Sequence, residues 1–156
     1  MVKGSSGNPG TMEGMIVYNR YNLLGTIRKK YRCRDLWQTG LKPRRLFGKK
    51  ELVETAAKEE IVTGPAKMRC FLEDEVREFD IEVIKVDQKT AEINKGMMIR
   101  VTDEELLEKT GGIIQGMSGS PILQNGKLIG AVTHVFVMDS TKGYGIFAET
   151  MLEQLK

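Results

Sequence analysis

Gly116-Met117-Ser118-Gly119-Ser120-Pro121 sets a hydroxyl among small residues, a pattern that suits a nucleophile. Small neighbours let the backbone turn sharply, expose the Ser118 Oγ, and aim the Gly116 and Ser118 amides at one point where an oxyanion would develop. Each such donor contributes roughly 3 kcal/mol to acyl transfer. Read as G-x-S-G alone, the same residues also make an ordinary Gly/Ser turn between two elements. A serine hydroxyl is a weak nucleophile at neutral pH and needs a base within hydrogen-bond reach. The chain holds a single histidine, His134. Cys33 and Cys70 are too few for a disulfide framework, and their spacing with His134 fits no zinc pattern. Neither a metal nor another cofactor is expected.

The elements that must carry this turn belong to a chain of 156 residues, 40% hydrophobic and 29% charged, a size and composition for one globular domain. No run approaches the roughly 18 apolar residues of a spanning helix, and residues 1–7 lack the apolar stretch of a signal peptide. The chain as written is therefore expected to stay where it is made. Seventeen glycines against four prolines point to tight turns between short segments, which favours β structure.

Several elements are legible. Met15–Tyr18 reads as a short strand. Apolar residues alternate over 67–73 and 78–83, the period of half-buried strands, with a hairpin around 74–77 joining them. Residues 97–101 form another strand. Thr102 to Glu105 then shows a capping-box pattern, Thr102 capping and Glu105 returning the bond, for a short helix running to about Lys109 and stopped by Gly111-Gly112. Residues 121–124 and 127–132 are two strands around Asn125-Gly126, whose residues both tolerate the positive φ of a type I′ turn. Residues 148–156 suit a terminal amphipathic helix.

Charge is distributed unevenly. Residues 28–50 carry ten Lys or Arg and one acid, net +9, which leaves −6 on the rest of a chain whose total is +3. Such a block is either a solvated loop or a patch for nucleic acid or another polyanion, since clustered cations release counterions from phosphates.

The order G-x-S-G-x-P, apolar pair, N-G-K, apolar pair, G-A-V-T resembles the nucleophile strand pair of chymotrypsin-like serine peptidases. In that comparison Thr133 and His134 lie on the cleft wall, where they would contact a bound peptide backbone. The resemblance is closer to one family, the SpoIVB peptidases of endospore-forming bacteria. It rests on residues 110–122, Gln124-Asn125-Gly126-Lys127, residues 130–137 and Lys142-Gly143-Tyr144-Gly145, and upstream on Gly64-Pro65-Ala66, residues 79–82 and 106–109.

The resemblance implies an all-β, trypsin-like β-barrel fold: a C-terminal barrel, an incomplete N-terminal half, one short helix and a C-terminal helix. It implies a serine endopeptidase with a protein or peptide substrate and no nucleic acid partner. In the family, a membrane anchor and a PDZ domain normally precede the peptidase. It is secreted from the forespore into the space between two membranes and cleaves a regulator, so that a membrane-embedded protease activates the mother-cell sigma factor. Ser118 matches the family nucleophile, with Gly116 and Ser118 forming the oxyanion hole. Asp103, fifteen residues earlier, matches the acidic residue of the catalytic set. Asp103 also reads as a carboxylate stabilised by the positive end of a helix. The family's histidine lies in a G-A-L-G-H segment further upstream. His134 matches a different family position, suited to substrate contact and alternatively a substitute base.

Gly25-Thr26-Ile27 is followed by basic residues where the family reads like N-T-D-A-G-I-F-G. Plausible codons for residues 30–40, read one base later, restore that motif. A local frameshift is therefore expected to have generated the basic segment within a peptidase domain spanning residues 1–156. The competing expectation is a truncated, catalytically inactive relative that at most binds peptides. Missing barrel strands would then leave unpaired edges, with residues 113–114 and 135–137 as its apolar, association-prone segments.

Overall fold

The computed structural model describes Lys3, Gly10 and residues 27–30, 37–39, 52–73 and 75–153. Strands β1 (Ile27–Lys30) and β2 (Trp37–Thr39) pair antiparallel, with Lys30 opposite Trp37. They belong to a unit of their own, Gly14–Leu52. The loop expected over the basic block is thus corrected where the block is described: residues 28–30 and 37–39 are paired strands. The rest of the block, and the strand expected at 15–18, lie outside the described residues.

The second unit holds the remaining elements in chain order. These are β3 (Gly64–Leu72), β4 (Glu75–Val86), β5 (Met97–Val101), α1 (Glu104–Thr110), β6 (Pro121–Gln124), β7 (Lys127–Val135), β8 (Lys142–Phe147) and α2 (Ala148–Glu153). The six strands close into an antiparallel barrel, order β3-β4-β5-β8-β7-β6. Among the described residues the fold is mostly β, a closed six-stranded barrel with two short α-helices. Closure corrects the expected unpaired edges, because β3 and β6 meet at Lys67↔Leu123 and Met68↔Ile122. Period-two burial builds the interior: Ala66, Met68, Cys70 and Leu72 from β3 face Phe79, Ile81 and Val83 from β4. Each such large apolar side chain contributes roughly 1.5–3 kcal/mol by leaving water. Ile113 and Ile114, expected to be association-prone, are buried in this core.

A seam of only two residue pairs needs support, and Gln124 supplies it. Its amide is 5% exposed. Oε1 accepts from Val62 N at 3.2 Å while Nε2 donates to Val62 O at 3.0 Å and Pro65 O at 3.2 Å. Gln124→Ala leaves these backbone groups without their partner. It is expected to cost about 1–3 kcal/mol, read as a lower urea midpoint with an unchanged slope.

Several local expectations change in detail. The β3–β4 turn is tighter than expected, since β4 begins at Glu75 and Glu73 takes a φ of 52°. The α1 cap is Asp103, not Thr102: its carboxylate accepts from Leu106 N, and Gly111 ends the helix at φ 74°. The helix starts at Glu104, which puts Asp103 and not Thr102 in the capping place, and Glu105 returns no bond because it pairs with Arg77. Asn125 and Gly126 have the positive φ values, 52° and 77°, expected of their turn.

Helix α1 is clamped to β4 by charge. The Arg77 guanidinium donates to both oxygens of Glu105, one at 2.7 Å, and Lys109 lies 2.9 Å from the same carboxylate. Arg77 first, then Lys109, hold Glu105 down from 4.5 to about 2. A depressed carboxylate adds stability that is present above its unfolded value and lost as pH falls through its folded one. The stability difference between wild type and Glu105→Gln is therefore expected to hold at pH 7 and shrink between pH 4.5 and 2. Chemical denaturation at stepped pH measures it.

Candidate active site

The nucleophile turn is reached through a stapled segment. Thr110 is fully buried, with its Oγ1 2.7 Å from Leu106 O and 2.6 Å from Gly112 O. Its single hydroxyl proton serves one carbonyl at a time. Ser140, 6% exposed, donates Oγ–H to Gly111 O at 2.6 Å, and its backbone carbonyl accepts from Ile113 N at 2.7 Å. Gly112, at φ 122°, passes so close that a Cβ would sit 2.2 Å from Ser140 O. Sequence reading does not find this cluster, because Ser140 lies almost thirty residues from the groups it holds.

From there the chain enters residues 115–120. Gln115 N donates to Gly10 O at 2.7 Å, Met117 N to Ile114 O at 3.1 Å, Gly119 N to Val132 O at 2.8 Å and Ser120 N to Met117 O at 3.0 Å. The amides of Gly116 and Ser118 have no acceptor among the described residues. These are the two donors expected of an oxyanion hole. Between them the Met117 side chain is 1% exposed and anchors the turn in the core, while Gly116 and Ser118 face solvent. Gly116 and Gly119 adopt φ 105° and 91°, so the sharp path depends on glycine at both.

The Ser118 hydroxyl donates to Thr133 O at 2.9 Å. That carbonyl is available because the β7–β8 register shifts between Val132 and His134, leaving Thr133 as a bulge residue. Thr133 is 3% exposed, and its own hydroxyl donates to Asn94 O at 2.6 Å. Its side chain is therefore packed, and the carbonyl is what it offers to the cleft. His134 is exposed, and its ring has no hydrogen bond among the described residues.

Ser118, Gly116 and Thr133 are thus brought together, with His134 next to them in the chain. Asp103 makes its contacts elsewhere. Oδ1 accepts from Leu106 N at 2.9 Å and Oδ2 from Asp80 N at 3.1 Å, which ties the start of α1 to β4. Cys70 offers no rival nucleophile: burial pushes its thiol up to about 11.

One further feature shapes the cleft. Pairing of β7 with β6 ends at Pro121↔Ala131, whereas pairing with β8 continues to Val135↔Gly143. Val132 is met by Gly119 and Ser120. Among the described residues, 133–135 therefore have a strand partner on one side only, and the Ser118 hydroxyl lies on the other.

A family model described as SpoIVB peptidase S55 matches residues 1–152. No curated protein matches the chain. Among solved structures, the Rv3671c protease of M. tuberculosis is similar in its inactive form at 19% identity and TM-score 0.47, covering 66% of this chain and 52% of that one. Its active form is similar at 19% identity and TM-score 0.48, covering 66% of this chain and 46% of that one. The chain spans about half the length of these structures.

Proposed function

The chain belongs to the SpoIVB peptidase family, and on that premise we propose that it is a serine endopeptidase domain with Ser118 as its nucleophile. The observation that carries this reading is the alternation of amides around Met117: every N–H from 115 to 120 is spent except those of Gly116 and Ser118. Ser118 Oγ attacks the carbonyl carbon of the scissile bond, its proton passes to a base, and the tetrahedral oxyanion takes the two free amides. In the family the base is a histidine of a G-A-L-G-H segment that precedes the nucleophile, whereas His134 follows it. At rest Ser118 Oγ–H donates to Thr133 O, so the base must take the place of that acceptor before attack. The substrate lies as an added strand on residues 133–135, a mode in which main-chain hydrogen bonds supply affinity. His134 contacts that peptide.

Asp103 acts in this reading through α1, not on the base. Both carboxylate oxygens are held by backbone amides, and the helix they start leads into the stapled segment before Ser118. Asn caps helices about as well as Asp. Asp103→Asn is expected to keep Ser118 reactivity within about threefold, and Asp103→Ala to lose roughly 1–2 kcal/mol of stability. An acid that orients the base directly would instead lose about 10⁴-fold in the Asn variant wherever that base is present. Rates of covalent labelling alongside thermal unfolding separate the two.

The finer role follows the family: cleavage of a regulatory protein during sporulation, outside the forespore membrane, so that a membrane-embedded protease activates the mother-cell sigma factor. A second reading, peptide binding without turnover, is favoured by the Ser118 hydroxyl donating to a carbonyl and to no base among the described residues. Peptide hydrolysis by wild type and Ser118→Ala decides: a rate lost in the variant supports the endopeptidase, and equal rates support binding alone.

A further inference from the structure

Beyond Val135 the cleft-wall strand runs into a turn with an uncommon surface. Phe136 N donates to Lys142 O at 3.0 Å, Lys142 N to Asp139 O at 3.0 Å, and Asp139 N to Phe136 O at 3.3 Å. The Asp139 carboxylate accepts from Thr141 N at 3.2 Å and Thr141 Oγ1 at 2.6 Å, and pairs with Lys142 at 2.8 Å. Lys142 and Thr141 hold that carboxyl below its usual range. This well-bonded turn carries Val137 and Met138 into water, 58% and 75% exposed. Among the described residues, no other two consecutive large apolar side chains are so exposed.

We infer that Val137 and Met138 form an extended subsite for an apolar side chain of the substrate, at the fifth or sixth residue before the bond that is cleaved. The inference rests on the proposed peptidase reading and names its substrate class: an extended polypeptide with an aliphatic residue upstream of the cut. Three observations carry it. The unpartnered edge at 133–135 leads directly to the turn. Every strand pair in the barrel is antiparallel. A peptide added to the edge in that sense runs upstream from Thr133 toward Val137. Four strand residues span about 13 Å, so the residue that reaches the turn is the fourth or fifth before the one facing Thr133. Methionine adapts its shape to varied aliphatic partners, which fits a subsite that selects for character and not for one residue.

The test uses the full chain and two fluorescent decapeptides that differ only at that upstream position, leucine in one and aspartate in the other. Binding is followed by anisotropy, so no turnover is needed. The leucine peptide is expected to bind about tenfold tighter, as burial of one aliphatic side chain allows. In the Val137→Ser, Met138→Ser double variant the two affinities should converge. Both positions are exposed, and a matching Tm shows that the variant folds. Equal affinities in the wild type, a preference that survives in the double variant, or absent binding overturns the inference. So does a wild-type dimer, seen by sedimentation and lost in the variant, since a second copy would then cover the turn. Fluorophosphonate labelling of Ser118 in the same samples separates the two failures. Labelling without peptide preference overturns the subsite alone, whereas no labelling also removes the peptidase reading beneath it.

Discussion

Ser118→Ala is expected to lower peptide hydrolysis roughly 10³-fold or more wherever the family's histidine base is present, with little change in folding. The magnitude follows from removing the only atom that forms the acyl-enzyme bond, a loss that the remaining oxyanion donors do not replace. Folding is spared because Ser118 is exposed and its side chain makes one hydrogen bond, to Thr133 O. Loss of that bond costs about 1 kcal/mol. The loss should fall on kcat, while peptide affinity, set by residues 133–135, stays close to that of the wild type. A variant equally impaired in binding would place Ser118 among substrate contacts instead.

Gly112→Ala is expected to be among the most destabilising small changes in the described residues. A Cβ at this position would lie 2.2 Å from Ser140 O, 2.5 Å from Ser140 C and 2.8 Å from Thr141 N, all backbone atoms of a well-bonded turn. The residue also sits at φ 122°, which L side chains rarely adopt. Overpacking and backbone strain each cost about 1–3 kcal/mol. A loss of roughly 3–5 kcal/mol corresponds to a fall in Tm of about 10 °C. Gly119→Ala is the control. Its φ is 91° but nothing lies within 4 Å of the new Cβ, so strain alone applies, about 1–2 kcal/mol. Comparable Tm values for the two variants would show that Ser140 yields, and that the staple does not fix the path to the nucleophile.

These two positions also mark where the sequence was readable and where it was not. The turn around Ser118 is local: small residues on either side dictate a sharp bend, and the structure has it. Asn125-Gly126, β5 and β6 are local as well, and their boundaries agree with the alternation of side chains. Strand β8 is not visible in the same way, because Gly143 and Gly145 look like turn residues. They are glycines because His134 O lies 2.5 Å, and Ala131 O 3.1 Å, from where their Cβ atoms would be. That reason exists only once β7 lies alongside.

The α1 cap moved by one residue for a related reason. The Asp80 N–H on β4 and the Leu106 N–H in the helix both reach the Asp103 carboxylate, so Asp103 takes the capping role. Thr133 was legible as a cleft-wall residue, but its burial and the bulge that frees its carbonyl depend on register between strands. The buried hydroxyls of Thr110 and Ser140 left no trace at all, since a serine in a polar loop looks the same whether it holds a helix end or faces water. Residues 28–50 illustrate the converse. Their charge pattern is plain in the sequence, and the paired strands at 27–30 and 37–39 were not.

The most direct test of the central claim is intact-mass spectrometry after incubation with a fluorophosphonate, followed by peptide mapping of wild type and Ser118→Ala. A phosphonyl group bound to a serine with an oxyanion hole mimics the tetrahedral intermediate, so labelling reports the nucleophile and its donors together. The account predicts one adduct per chain, mapped to Ser118 and absent from the alanine variant. No adduct, or equal modification of both proteins at other residues, would contradict it.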